Sequence, residues 1–350
     1  MVKLLIIQPA AWDPVRMPGS LENLMTQLCE GLALRGHDVT LAAADEEASW
    51  VNTGEHFRRQ VFHVDSVRQC IANSASAFEV VSVHNRVDLV TDLPAGTPLS
   101  LVLHGPAVHG IWPGRLPSHP TPTDVEWSKS VEVVQRATRL AAPSRWALRF
   151  NLDLFGVHDG DVVYPFVDPI FANLPRSDTP LPAAIYVGRP IQRKGLPWLH
   201  EHSARWSFPW LWAGDPLFGD AALRESLPAS TDPVATPRTR HDMAALLARA
   251  PVVLCPYDHE GFGMVLAEAA AAGSRVVSFS HCGLTESGVA STTTLVEPWD
   301  VDAFDRATVE ALRAGPVSPD ERSFVARVYT IARSVDAYEA HLLRTYQSCP

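Results

Sequence analysis

HEGFGMVLAEAAAAG, residues 259–273, sets two glutamates, Glu260 and Glu268, around a Gly261-Phe262-Gly263 turn and an alanine-rich apolar run. Were the whole stretch helical, the carboxylates would lie roughly 80° apart in azimuth and ~12 Å apart along the axis. That is a poor arrangement for an acid and a base acting on one atom, so the spacing needs another reason. VVLCPY (252–257) immediately precedes it and reads as a strand, which makes the unit strand, glycine turn, helix. In a parallel sheet such a junction lies at the carboxyl edge, where ligands bind. A helix N-terminus offers amide N–H groups and partial positive charge to a phosphate, and glycines let an anion approach that backbone. Glu260 then precedes the helix and can accept hydrogen bonds from hydroxyls near the phosphate. Glu268, more than a turn inside, addresses another part of the same ligand. A diphosphate with hydroxyl-rich groups on both sides, as in a sugar nucleotide, has that shape. The same residues also fit a plain structural unit in which Glu260 caps the helix and Glu268 lies on a solvated face.

Outward from this stretch the chain alternates strands and helices. In the second half, AAIYVGRP (183–190), FPWLWAGDP (208–216) and SRVVSFS (274–280) read as strands, MAALLARA (243–250) as a short helix, and 320–346 as a helical tail. In the first half, KLLIIQP (3–9), HDVTLAAA (37–44), VFHVDS (61–66), FEVVSVHN (78–85) and PLSLVLHG (98–105) read as strands. LENLMTQLCEGLALRG has helical periodicity and stops at Gly36. Short turns between such elements imply parallel sheets covered by helices, an α/β class with two similar halves. No GxGxxG follows the first strand, which leaves little support for a plain NAD site. A long loop rich in proline, glycine and histidine spans 107–125, and the proline-rich stretch 162–182 marks the expected domain boundary.

The chain has 350 residues, 46% hydrophobic, enough for a sizeable core and for two domains. A net charge of -10 argues against nucleic acid held by phosphate neutralisation. The five cysteines, Cys29, Cys70, Cys255, Cys282 and Cys349, have neither metal-ligand nor redox spacing, which points to reduced thiols in a cytoplasm. The N-terminal apolar run is too short for a signal peptide or span, and no membrane association is evident. Arginine and alanine are plentiful and lysine is restricted to Lys3, Lys129 and Lys194, a usage that suggests a GC-rich, bacterial genome. That scarcity draws notice to YVGRPIQRKGLPWL (186–199), where Arg189 and Lys194 follow a strand end. A guanidinium fork and a flexible ammonium both suit phosphate oxygens, although ordinary surface charge accounts for most such pairs.

GRPIQRKG, HEGFGMVLAEAAAAGSRVV and CGLTE, in this order and spacing, resemble the retaining GT-B glycosyltransferases, in particular glycosyltransferase family 4 (glycosyl transferases group 1). PGSLENLMTQLCEGLALRGHDVTL resembles that family's glycine loop and first helix, VVYPFVDPIF its strand leading to Asn-Gly-Val-Asp, and VEPWDVDAF a later loop. The resemblance implies two Rossmann-like domains with parallel sheets facing across a cleft. Residues 1–165 would bind the acceptor, 166–325 the sugar nucleotide, and a C-terminal helix (326–350) would cross back to the first domain. It also implies roles. Arg189 and Lys194 would bind the donor diphosphate and stabilise it as it leaves. Gly261, Phe262 and Gly263 would supply backbone contacts, with Met264 and Val265 opening the helix, Glu260 on the sugar hydroxyls and Glu268 on the ribose. Gly19 and Ser20 would face the diphosphate or acceptor, and His104 would contact the donor sugar. No cofactor or metal is expected, since Arg189 and Lys194 would replace the cation. The donor would be a UDP- or GDP-sugar and the acceptor a small soluble molecule or natural product.

The chain departs from the family pattern at Pro165-Phe166, which replace Asn-Gly, and at Cys282, which replaces the first glycine of Gly-Gly-x2-Glu. Two Asp-x-Asp triplets, 159–161 and 300–302, sit in apparent loops at the wrong places for a metal. Trp198, Trp206, Trp210 and Trp212 fit core packing better than sugar stacking, and His259 is a weaker candidate for the donor. A hydrolase or epimerase of a sugar nucleotide would share the donor site, as would a non-catalytic sugar-nucleotide-binding subunit. The intact Arg189, Lys194, Glu260 and Glu268 set argues against the latter.

Overall fold

The computed structural model describes residues 1–8, 20–45, 49–52, 56–105, 123–214, 235–289 and 291–348. Gly19 and most of the 107–125 loop, with His109 and His119, lie outside these. Ser20 is described only as the first residue of helix Ser20–Leu34.

Two sheets form. The first has eight strands, in the order β3 (Ser49–Asn52), β4 (Phe57–His63), β2 (Asp38–Asp45), β1 (Lys3–Ile7), β5 (Val80–His84), β6 (Leu99–Val102), β7 (Arg139–Ala142) and β8 (Gly160–Val162). Every pairing is parallel except β3 with β4, an antiparallel edge ribbon absent from the sequence reading. The strand expected at 61–66 begins earlier, at Phe57. The second sheet is wholly parallel, in the order β10 (Trp210–Ala213), β9 (Ala184–Val187), β11 (Val252–Cys255), β12 (Arg275–Phe279) and β13 (Thr293–Val296).

Continuous apolar runs make these strands central. Leu4 to Ile7, Val81, Val83, Leu99 and Leu101 are buried, as are Val252 to Cys255, because helices cover both faces. Separate apolar clusters pack the two faces of the first sheet, and a third forms the core of the second half. The tryptophans belong to that third core: Trp198 and Trp212 are buried and Trp206 and Trp210 pack against them. This is the GT-B architecture, two Rossmann-like α/β units.

In each sheet the strand order reverses direction once, between β1 and β5 and between β9 and β11, and in open α/β sheets ligands bind at the carboxyl ends beside such a switch point. The tail is two helices. Ser318 and Glu321 form a reciprocal capping box for helix Pro319–Val328. The chain then breaks at Tyr329, whose carbonyl accepts the Val167 N–H at 2.9 Å, and Thr330 caps helix Ile331–Gln347. That last helix crosses back to the first sheet, burying Val335, Tyr338 and Leu342 against Met25, Leu28 and Leu4. Helical propensity runs through the break; the Val167 hydrogen bond and the need to change sheets interrupt it.

Candidate active site

Of the residues singled out in the sequence, Arg189, Lys194 and Glu260 to Gly263 follow the β9 and β11 carboxyl ends, against His104 at the end of β6. Beyond β9, Gly188 and the exposed Arg189 lead into a short 3-10 turn, Gln192–Lys194, closed by Gly195 at φ +71°. Glycine is required there: a Cβ would meet the Pro256 carbonyl oxygen at 2.1 Å. The turn lays Lys194 Nζ 4.0 Å from the centroid of Tyr257 and ion-pairs it to Glu260 Oε1. Arg193, which the sequence reading passed over, donates from Nη1 to the same oxygen at 2.8 Å and to the His259 carbonyl at 3.2 Å. All three side chains are largely enclosed, 13–15% exposed, so their charges act at reduced dielectric. Burial pushes the Glu260 carboxyl upward, but Lys194 and Arg193 together outweigh it and hold it down at about 2. Burial pulls the Lys194 ammonium below its ordinary value against the attraction of Glu260.

Glu260 precedes helix Met264–Ala272, as the glycine spacing implies. Gly263, at φ +90°, begins that helix with no side-chain cap. From Leu266 to Ala272 the helix is wholly buried between β11, β12 and the helices Pro169–Asn173, Arg240–Arg249 and Pro319–Val328. A helix apolar all round is one surrounded by protein. Glu268 is therefore not on a solvated face; its side chain is 3% exposed and pairs with Arg240 Nη2 at 2.7 Å. Arg240 also stacks over Phe171, and its Nε lies 3.9 Å from Asp168 Oδ2. Asn23 and Gln27 of the first helix donate to that Asp168 oxygen at 3.4 Å. A polar strip thus runs from Glu268 to the first half of the chain. His259 is completely buried against Asp258, with Nδ1 to Oδ2 at 3.0 Å, so it does not line the cleft surface.

The carboxyl edges of the two sheets meet at Gly261. A Cβ on Gly261 would fall 1.9 Å from the His104 carbonyl oxygen, and the Gly261 carbonyl accepts Ser144 Oγ–H at 2.6 Å. His104 is half-buried just past β6; its amide donates to Asn85 Oδ1 at 2.7 Å, and burial pulls its imidazole down to about 4. Beneath the glycine turn, Gly283 packs on the Gly261 carbonyl, where a Cβ would come within 2.1 Å. Cys282 sits at φ +51°, a conformation that costs a non-glycine residue about 1–2 kcal/mol. The glycine that the family pattern has here is explained by that angle. Glu286 accepts the Arg145 and Trp146 amides at 3.0 and 2.8 Å and the Tyr164 hydroxyl at 2.8 Å. It thereby places a carboxylate on the N-terminus of helix Arg145–Phe155, a favourable dipole contact across the two halves. Phe262 packs its ring against Tyr164 and Tyr329.

Gly261→Ala is expected to lower stability by roughly 1–3 kcal/mol, because backbone must part from backbone to admit the methyl. A melting temperature equal to the wild type would show that the two strand ends separate freely.

Both Asp-x-Asp triplets have structural partners. Asp159 and Asp161 pair with Arg139, Asp300 caps helix Val301–Ala314, and Asp302 pairs with Arg205. Among the described residues no group of three or more His, Cys, Asp or Glu side chains could hold a metal ion, and no helix is long and apolar enough to cross a membrane.

Residues 182–314 match the family model of the glycosyl transferases group 1. No curated protein matches the chain in sequence. Among solved structures, sucrose-phosphate synthase from Thermosynechococcus elongatus is similar at 16% identity and TM-score 0.68, covering 99% of this chain and 97% of that one. AviGT4, a glycosyltransferase of avilamycin A biosynthesis, is similar at 18% identity and TM-score 0.66, over 99% and 98%. Anabaena HepE, solved with UDP and glucose, is similar at 14% identity and TM-score 0.69, over 98% and 100%.

Proposed function

We propose, for a chain that has the GT-B fold and whose residues 182–314 are a match to the glycosyl transferases group 1, transfer of a sugar from a nucleotide diphosphate to an acceptor hydroxyl. The observation that carries this reading is the pair of enclosed cations, Arg193 and Lys194, on Glu260 beside the Gly261–Gly263 turn at the switch point of the second sheet. Breaking a sugar–diphosphate bond develops negative charge on the leaving phosphate and positive charge on the ring. Lys194, with Arg189 at the mouth, would stabilise the first together with the N-terminus of helix Met264–Ala272. Glu260, ionised at any physiological pH, would accept from the sugar hydroxyls. Glu268, oriented by Arg240, would accept from the ribose.

In this reading residues 1–165 hold the acceptor, residues 166–325 hold the donor, and the 326–350 segment ties them together. Gly19 and Ser20 would complete the diphosphate side. The acceptor would attack on the face the phosphate leaves, with a phosphate oxygen taking its proton, which retains the anomeric configuration. The chain's own cations would perform the neutralisation that a metal performs in other glycosyltransferases. The UDP held by HepE supports a uridine donor, and the net acidic charge of the chain favours a small soluble acceptor in a cytoplasmic enzyme.

A thermal-shift panel of UDP-, GDP-, ADP- and TDP-sugars tests the donor site. A true donor at 100 times its Kd should stabilise the protein by about 2.7 kcal/mol. No shift with any of them would overturn the assignment. With the donor known, proton NMR of the product anomer distinguishes retention from inversion, and a free sugar as the only product would mark a hydrolase.

A further inference from the structure

A polar chain runs through the otherwise aliphatic packing between the last helix and the first sheet. At its outer end is Asp161 on β8, which holds Arg139 Nε at 2.5 Å and Arg344 Nη2 at 2.8 Å. His341 Nδ1 lies 2.8 Å from Asp161 Oδ2, and its Nε2 lies 2.8 Å from Ser100 Oγ. Ser100 Oγ is 3.0 Å from Ser82 Oγ, which receives the Tyr338 hydroxyl proton at 2.8 Å. The Tyr338 oxygen is 2.9 Å from His84 Nε2, and His84 Nδ1 is 2.8 Å from His104 Nε2 at the cleft. His84, Ser82, Ser100, Tyr338 and His341 are all buried, so each polar group must be satisfied inside the chain.

The proton directions are then forced. Asp161, between two guanidinium groups, is ionised and only accepts. His341 must donate from Nδ1. Burial outweighs Asp161 and lowers the His341 proton affinity, so the ring is neutral and Nε2 accepts from Ser100. Ser100 has spent its one proton and accepts from Ser82; Ser82 accepts from Tyr338; Tyr338 accepts from His84 Nε2–H. Burial lowers the His84 proton affinity well below its ordinary value, so the ring is neutral and its Nδ1 carries a lone pair. His104 must fill that lone pair with its own Nε2–H.

We propose that this relay of hydrogen bonds locks His104 as the Nε2–H tautomer, so that its Nδ1 meets a ligand hydroxyl as an acceptor. His84, Tyr338, Ser82, Ser100, His341 and Asp161 are positioning residues that act through His104. The contact between His104 and a ligand rests on the sugar-transfer reading above; the tautomer does not.

Long-range 1H–15N correlation of the histidine rings, with His104 assigned by H104Q, reads the tautomer without turnover. The wild type is expected to show a protonated Nε2 and a bare Nδ1 for His104. Ser82→Ala removes the acceptor of the Tyr338 proton. The hydroxyl then turns to His84 Nε2, the His84 proton moves to Nδ1, and His104 inverts to the Nδ1–H form. Tyr338→Phe leaves His84 Nε2 unpaired and should spread His104 over both tautomers while keeping the packing. A wild-type His104 that is Nδ1–H, mixed or charged at neutral pH overturns the proposal. So does a His104 that stays Nε2–H in both variants. Should the tautomers behave as expected while no nucleotide sugar shifts the His104 resonances, the relay stands and the donor-site reading fails.

Discussion

Replacing Lys194 by Ala is expected to lower kcat for sugar transfer by about 10²–10³-fold, the typical loss when one preorganised donor to a developing anion is removed. Stability should change little. Lys194 is held in a site that disfavours its charge, and its removal leaves Glu260 still paired to Arg193 at 2.8 Å. Glu260 stays ionised, so the sugar contact survives and KM for the donor should rise far less than kcat falls. Steady-state kinetics with the donor found in the thermal-shift panel, beside a melting curve, check both halves. Turnover at the wild-type rate would remove Lys194 from the leaving-group site.

Replacing Glu260 by Ala should behave differently, losing both activity and stability. It leaves the Arg193 guanidinium and the Lys194 ammonium enclosed without their shared counter-ion. Removing one partner of a buried pair costs about 3–5 kcal/mol, chiefly because the remaining charge is uncompensated. The effect depends on pH. The carboxyl titrates near 4.5 in its ordinary state and at about 2 in the folded protein, so the depressed value contributes stability above the first figure. The stability gap between wild type and Glu260→Ala should be full at neutral pH, shrink as pH falls below about 4.5 and close near 2. Melting temperatures across that range provide the check, and a gap that does not vary with pH would assign the loss to packing instead of charge.

The asymmetry between these two variants was not readable before the fold was known. Spacing marks Lys194 and Glu260 as separate members of a pattern, 66 residues apart. The ion pair that joins them, and the part played by Arg193 in it, come from the adjacency of β9 and β11. Arg240 is missed for the same reason: it stands in a helix with no motif of its own and meets Glu268 only where two helices pack. The Glu286 cap on helix Arg145–Phe155 joins residues more than a hundred positions apart, and that helix itself went unread after the short strand at 139–142. The break at Tyr329 did leave a local signal, Ser318-Pro-Asp-Glu321 opening one helix and Thr330 the next.

Alone, the sequence determined the α/β class, the two similar halves, and the glycine turn with its flanking glutamates. These depend on period, turn chemistry and short-range spacing, which a linear chain carries in full. The tertiary structure alone decided that Glu268 is buried and oriented by Arg240, that Gly261 must be bare to admit the His104 carbonyl, and that His104 ends a chain of hydrogen bonds reaching Asp161. Each of those depends on which strand lies beside which and on what the interior leaves for a buried polar group to bond, and neither is written in local order along the chain.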